Sequence, residues 1–142
     1  MSSSYVLLKL KKELSSALRR GSPWVFQDAL KEADLPKGVG FSPAILDDKK
    51  GQDRIAYGFY DSSSKITFRS CYLFNDMIPN EQTTNSEIKK FWSTIAKNRF
   101  KSAVEWRRNY FANTKTTGYR LINGEGDYFP GLVIDLYDNV NI

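Results

Sequence analysis

Histidine is absent from this chain of 142 residues, and cysteine occurs once, as Cys71. Without histidine the chain lacks the commonest general base and metal ligand of proteins. A single cysteine excludes an intramolecular disulfide. We therefore expect no metal-binding residues and no serine-histidine or cysteine-histidine catalysis. Cys71 lies in a strand-like run, and we predict that it packs in the core as a small hydrophobe rather than acting as a nucleophile.

Long hydrophobic runs are also missing. No apolar run approaches the roughly 18 residues that a membrane-spanning helix needs, so we expect no membrane partner. The N-terminus lacks the shape of a secretory signal, although a removed transit peptide is an open alternative. We expect a cytoplasmic protein, with an organellar compartment as the alternative. With 41% hydrophobic and 26% charged residues, the composition is that of a folded chain, one domain or one small domain with part of another.

The charge is unevenly distributed. The net charge is +5, yet residues 114–142 hold two Lys/Arg against four Asp/Glu, so the basic surplus lies upstream. Cations neutralise phosphates and aromatic rings stack on bases, so this surplus and the aromatic residues among it suit an RNA-contacting surface. The alternative is a soluble surface that happens to be basic.

The first part of the chain reads as short strands around one short helix. Residues 5–10 predict a strand and residues 12–20 a helix, which Gly21 should end in a left-handed conformation. Residues 23–26 predict a buried strand or an extended anchor, with Trp24 in the core in preference to the alternative of a base-stacking platform. Further strands over residues 41–46, 54–60 and 66–73, separated by turn signals, favour a small barrel or sandwich, and Gly58 predicts a bulge or a close backbone approach.

A long helix is predicted next. Residues 75–83 are polar and contain a proline, so we place the domain boundary there. Thr84 to Glu87 matches a capping box, and helical apolar periodicity continues to about residue 112, with a bend or break near Asn98 as an option. The other faces of this helix carry Lys89, Lys90, Lys97, Lys101, Arg107 and Arg108, and Trp106 lies off the apolar stripe.

The segment from Tyr119 to Tyr137 predicts a hairpin with a tightly folded loop. Two apolar runs flank a connector rich in glycine, whose acidic side chains Glu125 and Asp127 can accept hydrogen bonds from turn amides. The glycines do not form a dinucleotide fingerprint, because no helix is predicted after them. Asp135 is expected to serve a turn or a salt bridge, and a position facing an active site is the less favoured alternative.

Two stretches carry a family resemblance. The run Arg120-Leu121-Ile122-x-Gly124-Glu125-x-Asp127-x-x-Pro130-Gly131-Leu132-x-x-Asp135 resembles class I S-adenosylmethionine-dependent ribosomal-RNA methyltransferases that make 5-methylcytosine. The run Arg19-Arg20-Gly21-Ser22-Pro23-Trp24-Val25-Phe26 is similar to the start of the PUA domain of the same enzymes. One departure is Leu136, where that family usually has a basic residue, which puts one basic contact in doubt.

The resemblance implies an α+β fold with a small mixed β-barrel followed by a long helix and a β-hairpin. Residues 1–74 would be a PUA-like RNA-binding domain, and residues 75–142 part of a central α/β domain. The family's Rossmann-like domain, which binds S-adenosylmethionine and carries the catalytic cysteines, would lie outside this chain. We therefore expect no catalytic and no cofactor-binding residues here, and a chain inactive alone.

The implied partners are RNA, most specifically ribosomal RNA, and the C-terminal catalytic domain of the same polypeptide. The sequence ends within an opening strand, from which we expect a truncated chain. Arg107 and Arg108 are favoured over the lysines as RNA contacts, because guanidinium groups bind phosphate bidentately and stack on bases. The full set of candidate RNA-binding residues is Arg19, Arg20, Arg69, Lys97, Arg107, Arg108 and Arg120.

Two alternatives stay open. The first is a stand-alone PUA-type RNA-binding or adaptor protein without catalysis. The second is a protein-interaction module whose basic helix docks an acidic partner or a second copy of the chain as a homodimer.

Overall fold

A computed structural model describes residues 5–32, 35–36, 38–73, 84–137 and 140–141. The chain divides into two compact units, Met1–Asn85 and Ser86–Ile142. The polar connector and the domain boundary that we predicted over residues 75–83 lie outside the described residues.

The first unit is a curled half-barrel sheet with one short helix. Its described strands follow the order β1-β3-β4-β5-β2, with β1 parallel to β3 and the remaining pairs antiparallel. The elements are β1 (Val6–Lys9), α1 (Ser15–Arg19), β2 (Trp24–Phe26), β3 (Ser42–Asp47), β4 (Arg54–Tyr60) and β5 (Ile66–Leu73). The small mixed β-barrel that we predicted is observed as a half-barrel sheet of mixed strand direction, and β4 and β5 have the predicted bounds.

The sheet curls because the chain segments that follow its two edge strands, β1 and β2, are joined to each other. Leu10 and Leu30 form an antiparallel bridge between the chain leaving β1 and the chain leaving β2. The amide of Lys31 donates to the carbonyl of Lys9 at 2.9 Å beside it. The fully buried side chains of Leu8 and Phe68 belong to the core that this curl encloses.

Helix α1 ends as predicted but begins later. Gly21 has φ +101°, its amide donates to the Leu18 carbonyl at 2.9 Å, and the next amide, of Ser22, donates to Ala17 at 3.1 Å. These two bonds form a Schellman motif. The start shifts to Ser15, because the Glu13 carboxylate accepts a hydrogen bond from the Ser15 amide at 2.9 Å and holds the preceding backbone outside the helix.

Trp24 is exposed, which corrects the prediction that it lies in the core. In β2, Val25 is fully buried, while the flanking Trp24 and Phe26 are 44% and 49% exposed. Successive side chains of a strand point to opposite faces, and one face of this strand is covered. Cys71, in β5, is buried, and the prediction that it packs in the core is confirmed.

At Gly58 the backbone of β4 lies very close to the backbone of β5. The strand register shifts between Tyr57 and Gly58, which confirms the predicted bulge. A Cβ atom at Gly58 would lie 2.0 Å from the carbonyl oxygen of Arg69. The backbones therefore approach closely enough to require glycine.

The second unit is a long helix followed by a small antiparallel sheet. Helix α2 (Asn85–Phe111) begins beside the predicted cap, is continuous through Asn98 and spans 27 residues, about 40 Å. The predicted hairpin is confirmed, with β6 (Gly118–Asn123) paired to β7 (Val133–Tyr137). A short β8 (Val140–Asn141) pairs with the other edge of β7.

The hairpin loop folds back on itself through a 3₁₀ turn over Gly124–Asp127. Gly124 and Gly131 have φ +51° and +80°, which favours glycine at both positions. Asp127 Oδ2 accepts a hydrogen bond from the Asn123 amide at 2.7 Å, as predicted for a turn carboxylate. In the part of the chain that the structure describes, no helix is both long and apolar enough to cross a membrane.

Candidate nucleic-acid interface

Arg107 ties α2 to the hairpin. Its Nη1 and Nη2 donate to Oδ1 and Oδ2 of Asp127 at 3.0 and 2.6 Å, and its Nε donates to the Arg120 carbonyl at 2.7 Å. Both side chains of the ion pair are largely buried, at 11% and 16% exposure. The guanidinium is thus held in a bidentate pair with a carboxylate that also fastens the loop.

This placement corrects the prediction that Arg107 lies on a solvated face of the helix. The residue is 9% exposed, and its donors point at the hairpin. Helical spacing predicts burial only for apolar side chains. Charged residues are rarely buried unless they are paired, so nothing in the sequence indicates that Arg107 is buried. The RNA contact predicted for Arg107 stays a prediction, and we leave the residue out of the surface described below.

Arg120 and Asp135 form a second ion pair, across the hairpin. They are direct register partners in β6 and β7, and Arg120 Nε and Nη2 lie 2.8 and 3.2 Å from the two carboxylate oxygens. The hydrogen bond from Arg120 holds the pKa of Asp135 below its ordinary value, and the same bond raises the pKa of Arg120. The expectation of a salt bridge for Asp135 is confirmed, and the Arg120 guanidinium is exposed but already engaged.

The shifted pKa of Asp135 predicts a measurable titration. We expect an NMR pH titration to give Asp135 a midpoint below the ordinary 3.8, and Arg120→Ala to move that midpoint upward. Because the folded pKa is the lower one, the stabilising contribution of the pair is present above the unfolded pKa and is lost as the pH falls through the folded value. Lys101→Ala, which removes a cation of the same unit that pairs with Glu105 and not with Asp135, is the control. An Asp135 midpoint that ignores the Arg120 substitution would contradict the assignment.

Helix α2 presents a basic stripe on one exposed face. Lys90, Lys97, Lys101 and Arg108 are all exposed and are spaced by seven, four and seven residues. Residues at these spacings lie above one another on an α-helix, so the stripe extends about 27 Å along the axis. Lys101 also has Glu105 at 3.8 Å, whereas Lys97 and Arg108 make no ion pair with the described residues. The candidates Lys97 and Arg108 therefore share one surface.

The candidate cations of the first unit have different surroundings. Arg19 and Arg20 are exposed at the end of α1. Arg69 is partly buried in β5, where Nη1 donates to the Ile66 carbonyl at 3.0 Å and lies 3.5 Å from Asp61. Arg69 is opposite the exposed Trp24 in the strand register. The Arg69 guanidinium therefore has partners within the sheet.

A group of aromatic side chains lines a groove that the sequence did not reveal. Trp106 and Tyr110 are 59% and 65% exposed, and their rings stack with centroids 5.3 Å apart at 13°. Trp106 borders a groove with a volume of about 510 Å³, which we call the aromatic groove and define by its lining residues. The i, i+4 spacing of Trp106 and Tyr110 was a readable signal, but the strands that complete the groove were not. The lining residues are Trp106, Arg107, Phe111, Gly118, Tyr119, Arg120, Asn123, Asp135 and Tyr137.

Among the described residues, no group of three or more Cys, Asp or Glu side chains is placed to hold a metal ion. The glycines of the hairpin loop lead into the strand β7 and not into a helix N-terminus. The glycines of the hairpin loop therefore do not form the kind of S-adenosylmethionine-binding loop in which glycines precede a helix.

A family model matches most of the half-barrel unit. Residues 8–70 match the family model of the PUA-like domain. The predicted PUA-like character of this segment is thereby confirmed, while the boundaries 1–74 and 75–142 stay predictions.

The relatives of the whole chain are ribosomal-RNA methyltransferases. The chain is 32% identical over 140 residues to "Ribosomal RNA large subunit methyltransferase I" of Alteromonas mediterranea, covering 99% of this chain and 31% of that protein. It is 30% identical over 138 residues to "Ribosomal RNA large subunit methyltransferase" of Deinococcus radiodurans, covering 94% and 30%. The chain thus spans about a third of the length of the curated relatives that it matches.

A solved structure shares the fold. A protein from Streptococcus mutans described as a SAM-dependent methyltransferase superposes with a TM-score of 0.55 at 20% identity, covering 93% of this chain and 30% of that chain. A likeness at this level of identity concerns the fold. The mixed α+β architecture of half-barrel, long helix and hairpin is therefore shared with part of a larger protein.

Proposed function

We propose that this chain is the RNA-recognising part of a SAM-dependent ribosomal-RNA methyltransferase. Three observations support the proposal: the PUA-like match over residues 8–70, the relatives named as ribosomal-RNA methyltransferases, and the basic stripe of α2. The stripe carries the argument for direct contact, because it presents exposed cations in a row.

The stripe suits a nucleic-acid backbone by its charge and its length. Its four cations occupy one face over about 27 Å, a length over which an RNA strand presents several phosphates. Contacts of this kind position RNA without reading its sequence. Arg108 can bind a phosphate bidentately, whereas the lysines act as point charges. The exposed Arg19 and Arg20 are the corresponding candidates in the first unit.

Methyl transfer itself would depend on residues beyond this chain. We propose that the longer protein binds S-adenosylmethionine in a Rossmann-like domain and modifies C5 of a cytosine through a cysteine nucleophile, as the resemblance implies. The chain contributes Cys71 alone, and this thiol is buried in the half-barrel core. The partners proposed are therefore ribosomal RNA and the catalytic domain of the same polypeptide, in the cytoplasm.

Charge reversal on the stripe tests the proposal. We expect Lys97→Glu/Arg108→Glu to weaken binding to a ribosomal-RNA fragment about tenfold at moderate salt, because two phosphate contacts are lost and replaced by repulsion. The salt dependence of log K should fall by about one for each phosphate contact removed. Fluorescence anisotropy of labelled RNA measures both quantities.

Lys50→Glu combined with Lys65→Glu is the matched control, since both lysines are exposed in the first unit and the net charge changes equally. Equal weakening by both double variants would mean that the loss reflects net charge and not the stripe. No measurable RNA binding by the unmodified chain would overturn the proposal. Equal affinity for the ribosomal-RNA fragment and for other polyanions of the same charge would favour a protein-interaction module.

A further inference from the structure

The aromatic groove of the second unit has no role in the phosphate contacts proposed above. Resting on the proposed RNA recognition, we infer that this groove binds an unpaired RNA base. The base would stack on the exposed ring of Trp106, which lines the groove and is itself stacked on Tyr110, with a backbone phosphate at Arg99.

The ring geometry favours stacking. The rings of Trp106 and Tyr110 are nearly parallel. Tyr110 meets Phe111 edge to face at 5.0 Å, and Phe111 stacks on Tyr119 at 4.5 Å. Tyr137, at 53% exposure, lies across Gly118, where a Cβ atom would be 2.8 Å from its ring. Exposed aromatic rings are the platforms on which proteins stack unpaired bases, because every base has a π-face.

The other groups of the groove suit the hydrogen-bonding edge of a base. None of the described lining residues has an aliphatic side chain. Asn123 supplies an amide, and the Arg120–Asp135 pair supplies a guanidinium and a carboxylate. A volume of about 510 Å³ lies within the range of about 300–1,000 Å³ typical of small-ligand sites.

Arg99 supplies a cation on the same side of the helix as Trp106. The two residues are seven positions apart, about 10 Å along the axis, and both line a second groove beside Tyr128. The Arg99 guanidinium lies 4.5 Å above the Tyr128 ring, which orients it, and it makes no ion pair with the described residues. A guanidinium held in this way can bind a phosphate next to the stacked base.

The groove and the basic stripe can be tested independently. Trp106 and Arg108 are two residues apart in α2 and therefore point to different sides of the helix. We expect Trp106→Ala to weaken binding to a hairpin RNA with an unpaired loop about tenfold, since stacking is lost. Binding to a blunt duplex of the same stem should stay unchanged. Trp106→Phe, which keeps an aromatic face, should restore most of the affinity.

Val133→Ala is the matched control, because Val133 is 51% exposed in the same unit and does not line the groove. Equal loss on loop and duplex RNA, or no loss on either, would overturn the inference and leave the proposed RNA recognition standing. A complete lack of RNA binding by the unmodified chain would overturn both. A concentration-dependent dimer in sedimentation that Trp106→Ala abolishes would overturn the inference and assign the groove to self-association.

Discussion

Asp127→Ala is expected to lower the free energy of unfolding of the second unit by about 3–5 kcal/mol, because it leaves the Arg107 guanidinium buried without its counter-charge. The same substitution removes the acceptor of the Asn123 amide, which holds the loop to β6. Amide hydrogen exchange of β6 and β7 in the full chain measures the effect on this unit separately from the half-barrel.

A matched control is available on the same helix. Lys101 and Glu105 form an ion pair at 3.8 Å whose side chains are 75% and 60% exposed, and Glu105→Ala should cost less than about 1 kcal/mol. Arg107→Lys keeps the charge but cannot form both parallel hydrogen bonds, so we expect an intermediate loss. If Asp127→Ala and Glu105→Ala had the same small effect, the Arg107–Asp127 pair would not hold the hairpin to the helix.

Gly58→Ala is expected to destabilise the half-barrel by about 3 kcal/mol or more, the upper end of the range for overpacked sites. The added methyl group would lie 2.0 Å from the Arg69 carbonyl oxygen, so one of the two backbones must move. That movement would disturb the pairing of β4 with β5, the centre of the sheet. Chemical denaturation followed by near-UV circular dichroism would report the change.

Gly40→Ala is the control for this substitution. A Cβ atom at Gly40 would have no neighbour within 4 Å, and we expect unfolding to change little or to become slightly less favourable. A Gly58→Ala variant as stable as Gly40→Ala would show that β4 and β5 do not approach each other as closely as described.

The local elements were largely predictable, because their signals are short-range. The helix stop at Gly21, the bulge at Gly58 and the hairpin after residue 118 each depend on the conformational preferences of a few neighbouring residues. The tight loop follows from the same preferences, with Asp127 as its acceptor. Exposure was less predictable, as Trp24 shows. Its apolar neighbours suggested burial, but only one face of the three-residue strand β2 is covered, and Trp24 lies on the other face.

The candidate interface was predicted in part. Lys97 and Arg108 share an exposed face because their spacing of eleven residues is close to three helical turns, which can be counted in the sequence. Arg107 could not be placed in this way, since its burial depends on Asp127 twenty residues later. Arg120 was predicted as an RNA contact and stays so; its side chain is exposed, but its register partner Asp135 already forms an ion pair with it.

The sequence by itself determined the order of strands and helices, the PUA-like character of residues 8–70, the absence of histidine chemistry and the burial of the one cysteine. The order of elements and the burial of Cys71 follow from periodicity and turn chemistry, which act between near neighbours, and the lack of histidine follows from composition. The PUA-like character follows from the resemblance carried by residues 19–26. The tertiary structure alone decided which arginine is buried, which is paired across strands, and that rings from α2, β6 and β7 line one groove. Such pairings depend on strand register and helix packing, where residues distant in the chain are brought within hydrogen-bonding or stacking distance.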